Sequence, residues 1–361
     1  MTRDYSQVLA PAEGAPPAAR VLTPLEQLGW QAFFAQQTDL DEMTATPPVR
    51  VSEIHRSGVH VRGDGLAAVI PPGIEATVGD WLMYDAVAPR SSRVLARKSV
   101  VQRRAPGHDR SVQLIAANID TVFVVSSCNA DFNVARLERY VALAFEAEIT
   151  PVILLTKVDL CDDSADYVAQ ARTISDMVEV LAVDARGGDP VPALAKWCRP
   201  GQTIAFLGSS GVGKSTLTNA LIGRQDVATQ PVREDDARGR HTTTYRHLHI
   251  LPDGLAVLDT PGMRELQLTD AAAGVGDVFA DLEELATGCR FRDCGHDTEP
   301  GCAVRAAIEA GDVDPARLIR WRKLAAEDAF NTASMAERKS KDRTFGKMVK
   351  QIQKKKNKKR K

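Results

Sequence analysis

From Val49 to about Arg104 apolar and polar residues alternate, as in "VRVSEIHRSGVHVRGDGLAAVIPPGIEATVGDWLMYDAV", with Gly, Pro and Asp at short intervals. A period of two sends successive side chains to opposite faces of a strand, so this stretch predicts a small antiparallel β module. A length of about 55 residues suits a barrel better than a sandwich. The oligonucleotide-binding type fits this size, and so do other small barrels.

From Gln113 the pattern changes to apolar runs separated by helical stretches. "DTVFVVSS" reads as a buried strand, and "NVARLERYVALAFEA" as a helix with Val134, Leu137, Val141 and Phe145 on one side. "PVILLTKVDL" is the next strand, followed by a helix to about Met177, the strand "VEVLAVDA" and a short helix around Leu194. "TIAFLGSS", the helix "KSTLTNALIG", and the strands "YRHLHIL" and "LAVLDTPG" complete the set. Strands alternating with helices imply a mostly parallel sheet covered on both faces, an α/β fold.

Past about Gly276 the chain reads as helical around three close cysteines. In "DPARLIRWRKLAAEDAF" Asp314 is placed to cap, Pro315 occupies the first turn, and Leu318, Trp321 and Leu324 share a face. Upstream, "APAEGAPPAAR" has the composition of a disordered segment. "TPLEQLGWQAFFAQQ" predicts one short docking helix capped by Thr23, with Leu25, Leu28 and Phe33 as its apolar contacts. The expected organisation is an N-terminal extension (1–48), the β module (49–105), the α/β domain (106–270), a helical domain (271–335) and a basic tail (336–361).

Composition adds two points. No apolar run approaches the ~20 residues that cross a bilayer, and the first residues lack a signal-peptide core; the expectation is a soluble cytoplasmic protein. Cys128, Cys161 and Cys198 read as buried thiols rather than disulfide partners. The net charge of −1 hides a polarised chain. Residues 338–361 carry thirteen Lys or Arg against one acid, Asp342, a net of +12 that leaves −13 on the rest. Such a tail points to a partner that is itself a polyanion.

The chemistry begins at "GSSGVGKST": Gly208, Ser209, Ser210, Gly211, Val212, Gly213, Lys214, Ser215 and Thr216. Its G-x-x-x-x-G-K-S spacing lies between a strand and a helix, where backbone N–H groups and the helix N-terminus wrap phosphates. Lys214 is placed to bridge β- and γ-phosphates, and Ser215 to hold Mg²⁺. "DTPG" ends another strand, with Asp259 suited to Mg²⁺ through water and the Gly262 N–H to the γ-phosphate. In "TKVD", Thr156 to Asp159, the carboxylate matches N1–H and N2–H₂ of guanine and leaves adenine mismatched. Lys157 lays its stem along the base, Val158 completes the turn, and "VDA", with Asp184 and Ala185, offers a backbone N–H to guanine O6.

"TKVD" precedes the phosphate loop by about fifty residues, although base-reading loops ordinarily follow it. Ligands bind at the carboxyl ends of strands regardless of chain order, so a circular permutation still lets both motifs converge. The order "TKVD", "VDA", "GSSGVGKS", "GRHTTT", "DTPG" resembles the circularly permuted GTPases. With a β module before and a cysteine cluster after, the chain resembles the ribosome small-subunit-dependent GTPase A (RsgA) family over roughly Val49 to Phe330.

The resemblance implies an oligonucleotide-binding barrel, a permuted GTPase domain and a zinc-bearing helical domain. It implies hydrolysis of GTP to GDP, stimulated by the small ribosomal subunit during late maturation of that particle. "GRHTTT" matches the family's switch at Gly239, His241, Thr242 and Thr243; Thr243 is expected on Mg²⁺ and the γ-phosphate, with Thr242 the alternative. Met263 stands where many GTPases orient water with Gln, so His241 becomes the candidate for that role. Thr156 replaces the commoner Asn, which is expected to weaken loop bracing, and Asp184 stands where Ser is usual.

"CRFRDCGHDTEPGC" gives C-x₄-C-x-H-x₅-C at Cys289, Cys294, His296 and Cys302, a closed donor set for one structural Zn²⁺. The expected protein is thus a monomeric GTPase with small-subunit rRNA as partner. An RNA-binding or translation-associated GTPase with another RNA target is the alternative.

Overall fold

The computed structural model describes residues 22–104, 112–185, 187, 190–222, 246–259 and 271–332. The alternating segment folds as an antiparallel meander of β1 (Pro48–His55), β2 (Gly58–Gly63) and β3 (Leu66–Ile70). β4 (Trp81–Met83) pairs with the start of β1, and β5 (Arg93–Val94) pairs with β4. β6 (Val100–Arg104) and β7 (Val112–Ala117) form a separate antiparallel ribbon. The Ala117 N–H donates to Val78 O at 2.9 Å, so antiparallel structure continues past residue 105. Gly79 makes that approach possible: it has φ +91°, and a Cβ there would lie 2.1 Å from Ala117 O.

Beyond Ala117 come β8 (Thr121–Ser127), β9 (Thr150–Thr156), β10 (Glu179–Ala182), β11 (Thr203–Leu207), β12 (Arg246–Ile250) and β13 (Ala256–Asp259). Their order is β10-β9-β8-β11-β13-β12, and every neighbouring pair is parallel except β13–β12. β8 is buried throughout because both faces are covered. Val122 and Val124 enter one apolar cluster, and Phe123 and Val125 the other. β12 also pairs antiparallel with β1, at Glu53–His247 and Ile54–Arg246, so barrel and central sheet share one hydrogen-bonded array.

Three helical segments frame this array. The N-terminal segment forms two short helices, Pro24–Gln27 and Ala32–Ala35, rather than one. Gly29 takes φ +91° between them and turns the chain, so Phe34 is buried against Trp30 and Trp81 while Phe33 stays exposed. Thr23 caps the first helix with Glu26 as expected. Arg50 is buried at this junction, donating to Leu28 O at 2.6 Å and Thr203 Oγ1 at 2.7 Å. It thereby joins the N-terminal helices, β1 and β11. Burial lowers its pKa to about 10, which still leaves it charged at neutral pH.

Helix Val134–Glu146 packs on the sheet through Leu137, Tyr140 and Val141, with Val134 and Phe145 half-buried. The next helix, Ser164–Arg172, stops short of Met177, and Val191–Leu194 is a single turn. At the C-terminus lie Ala272–Val278, Ala280–Thr287, Ala303–Ala310 and Pro315–Thr332. Gly274 crosses directly over helix Val134–Glu146; a Cβ there would stand 2.1 Å from Ala142 O. The buried Glu138 accepts from Arg320 Nε at 2.9 Å, and Arg317 donates to Asp281 and to the carbonyls of Thr173, Ile174 and Val278. Burial raises the Glu138 pKa, opposed by Arg320 and Arg317.

Among the described residues no helix is long and apolar enough to cross a membrane. Cys128 is a buried free thiol, whereas Cys161 and Cys198 are half-buried, less enclosed than expected. The "APAEGAPPAAR" stretch and the basic tail lie outside the described residues.

Candidate nucleotide site and metal centre

Parallel pairing brings the carboxyl ends of β8, β9, β10 and β11 to one edge of the sheet. β11 runs into the phosphate-loop sequence, and helix Lys214–Ile222 begins at its lysine. Gly208, Gly211 and Gly213 adopt φ of +151°, +76° and +99°. At Gly208 a Cβ would lie 2.2 Å from Val125 O, so glycine is needed both for conformation and for closeness to β8. Val212 is buried, anchoring the loop from below, while Ser210, Gly211 and Ser215 are exposed and Ser209, Gly213 and Thr216 half-buried. The Lys214 ammonium donates to Gly208 O at 2.8 Å and to Ser209 O, folding across the loop's mouth.

The "TKVD" corner meets that loop directly. Thr156 ends β9 fully buried, and its hydroxyl lies 2.6 Å from Val212 O and 3.2 Å from Ser126 O. Threonine, expected to weaken the loop's bracing, still reaches the phosphate loop through its hydroxyl. Lys157 takes the left-handed conformation, φ +59° and ψ +34°, and turns the chain into the single 3₁₀ turn Val158–Leu160. Asp159 stands exposed on that turn rather than buried. In the neighbouring loop the Val183 N–H is taken by Leu155 O at 2.8 Å. Asp184 accepts from Gly187 N–H at 2.9 Å, so its side chain closes its own turn, and Ala185 is half-buried beside it.

One contact escaped sequence reasoning. Arg136, in the first turn of helix Val134–Glu146, donates to Ser209 Oγ at 2.5 Å and pairs with Asp131 at 2.9 Å. No spacing rule signals it, because the partners are 73 residues apart. The remaining site candidates fall differently. Asp259 ends β13, opposite His247 of β12. Gly239, His241, Thr242, Thr243, Gly262 and Met263 lie outside the described residues.

The three cysteines and His296 converge as their spacing requires, with ligand atoms all within 4.8 Å of one another. Cys289 Sγ is 3.9 Å from Cys302 Sγ and 3.6 Å from His296 Nδ1, and His296 Nδ1 is 3.4 Å from Cys302 Sγ. Ligand bonds of ~2.3 Å to sulfur and ~2.0 Å to nitrogen give tetrahedral edges of roughly 3.8 and 3.5 Å. Cys289, His296 and Cys302 are therefore spaced as Zn²⁺ ligands, and Cys294 lies within 4.8 Å of them as the fourth donor. His296 reaches the cluster through φ +58° and stacks on Trp321, while burial and Arg322 lower its pKa, favouring the neutral ligand. Cys302 also caps helix Ala303–Ala310. Glu299 staples the loop by accepting from the N–H groups of Gly295, Asp297 and Thr298 at 2.9, 2.8 and 3.0 Å.

Comparison with known proteins accords with this geometry. The RsgA GTPase family profile matches residues 94–269. A small ribosomal subunit biogenesis GTPase RsgA 2 of Vibrio parahaemolyticus is 47% identical over 334 residues, 91% of this chain and 92% of that relative. The chain belongs to the RsgA GTPase family. A second member, the small ribosomal subunit biogenesis GTPase RsgA of Mesorhizobium japonicum, is 48% identical over 316 residues, 85% of this chain and 91% of its own. Two solved structures share the fold. YjeQ from Thermotoga maritima has TM-score 0.56 and 24% identity, covering 77% of this chain and 96% of its own. YloQ, a circularly permuted GTPase, has TM-score 0.54 and 22% identity, covering 80% and 97%. A circularly permuted chain of this fold is thus known among solved structures.

Proposed function

We propose that this RsgA-family chain binds GTP at the carboxyl edge of the sheet and hydrolyses it in the service of small ribosomal subunit maturation. The observation that carries the reading is the Thr156–Val212 hydrogen bond, which ties the base corner to the phosphate loop in one site. Asp159 accepts from guanine N1–H and N2–H₂, and Lys157 lies along the base. The Val183–Ala185 loop offers backbone N–H to guanine O6. Residues 208–213 surround the phosphates with N–H groups, and the Lys214 ammonium leaves its own loop's carbonyls for the β- and γ-phosphates. Ser215, Thr243 and Asp259 would hold Mg²⁺, which would supply positive charge against that developing on the phosphates. Gly262 senses the γ-phosphate. His241 orients the attacking water, since the Met263 thioether cannot.

The partner in this reading is the small subunit and its rRNA, met in the cytoplasm by a monomer. The +12 tail supplies phosphate contacts and counterion release. The names of the close relatives support the subunit as target. The test is GTP turnover with and without purified small subunits, on the full chain, on Lys214→Ala and on a chain ending near Arg338. Strong stimulation of the full chain, lost in Lys214→Ala and weakened by tail removal, is expected. Turnover indifferent to added subunits would defeat the ribosomal reading.

A further inference from the structure

The phosphate loop is held at two points by segments outside it. Thr156, at the end of β9, reaches Val212 O, and Arg136, in the first turn of helix Val134–Glu146, reaches Ser209 Oγ at 2.5 Å. Between these two anchored residues lie Ser210 and Gly211, both exposed. Arg136 is itself placed by a short relay from the carboxyl end of β8. Ser127 Oγ lies 2.9 Å from Asn129 Oδ1, which also accepts from the Asp131 N–H at 3.0 Å. Asn133 caps the helix by accepting from the Arg136 N–H at 2.9 Å. Asp131 Oδ1 then accepts from Arg136 Nη1 at 2.9 Å, the same nitrogen that reaches Ser209. The two hydrogens of Nη1 suffice for both contacts.

Ser209 meets a second cation through its carbonyl oxygen, because the Lys214 ammonium donates there and to Gly208 O. Contacts to a β- and a γ-phosphate use two of an ammonium's three donors, so bound nucleotide loosens the hold of Lys214 on its own loop. The Arg136 contact needs no such exchange. It arrives from the neighbouring helix, engages the hydroxyl instead of the carbonyl, and is oriented by Asp131. We infer that Arg136 is a positioning residue for nucleotide binding, keeping the opening turn of the phosphate loop in its phosphate-accepting shape through Ser209 when Lys214 turns to the phosphates. The inference rests on the GTP site proposed above and adds a residue that touches the loop and not the nucleotide. A loop held in its binding shape spends less of the binding free energy on ordering itself. Both GTP and GDP therefore gain from Arg136.

The test is fluorescent-nucleotide titration of the full chain. Arg136→Ala should weaken GTP and GDP binding by about five- to tenfold, the scale of one charge-assisted hydrogen bond partly open to solvent. KM for GTP should rise in step, while subunit-stimulated kcat at saturating GTP falls far less. Arg136→Lys, which keeps a charged donor, should recover part of the loss. Ser209→Ala should weaken binding to the same degree as Arg136→Ala, and the double variant no further, since each change breaks the same contact. Circular dichroism and the unfolding midpoint check that the Arg136 variants fold, and Ser209→Ala tests the contact from the loop side. Unaltered affinities in folded Arg136→Ala, or losses that multiply in the double variant, overturn the assignment. A wild type that binds neither nucleotide overturns the GTP site itself and the inference with it.

Discussion

The Thr156 hydroxyl, at the end of β9, lies 2.6 Å from the carbonyl oxygen of Val212 in the phosphate loop. Groups 56 residues apart, in the reverse of the usual chain order, are thereby one unit. Removing the hydroxyl strands a buried carbonyl, at about 1–3 kcal/mol. Thr156→Val should weaken GTP and GDP binding about tenfold, since 1.4 kcal/mol is a factor of ten, whereas Thr156→Ser should retain most affinity. Fluorescent-nucleotide titration measures both. Equal affinities for wild type and Thr156→Val would show that the bond does not set the loop.

Asp159 stands exposed on its 3₁₀ turn, open to a base from solvent. Asp159→Asn exchanges an acceptor for a donor, so the variant should lose GTP binding and gain xanthosine triphosphate. Competition between the two nucleotides reads the switch. Unaltered preference for guanine would remove Asp159 from base recognition.

The metal loop and the nucleotide edge are built from different elements of the chain. Cys302 is both a donor to the cluster and the cap of helix Ala303–Ala310. Cys302→Ser, or chelation of the metal, should lower the unfolding midpoint of the C-terminal helices and leave GDP affinity within about twofold, as expected of uncoupled sites. A parallel loss of GDP affinity contradicts this separation.

Backbone N–H groups of Glu299 itself, Gly295, Asp297 and Thr298 depress the Glu299 pKa from 4.5 to about 2. A depressed carboxyl stabilises the fold when ionised. Its contribution is present in full above 4.5 and is lost as pH falls toward 2. The urea midpoint of Glu299→Gln should therefore fall below that of wild type at pH 7, and the gap should narrow steadily below pH 4.5. A gap independent of pH means the carboxylate is not what holds the loop.

Much of this was legible in the sequence because the signals are local. The switch from alternating to continuous apolar patterning marks where strands become buried on both faces, and β8 bears that out residue by residue. The cysteine spacing implied a tetrahedral cluster, and its ligand atoms converge. What spacing could not supply were contacts made between distant segments. Arg136 reaches Ser209, Thr156 reaches Val212, and Arg50 joins three segments from one buried position. The N-terminal segment misled for a different reason. Apolar spacing favoured Phe33, but Gly29 turns the chain and it is Phe34 that enters the core.

β12 has neighbours on both sides, β13 and β1. A strand that loses one neighbour exposes a row of free N–H and C=O groups that other chains can template on. The barrel is thus also a guard against self-association. A fragment beginning after Ala117 should be prone to form dimers or larger aggregates through β12, visible by light scattering as concentration rises, while the intact chain stays dispersed.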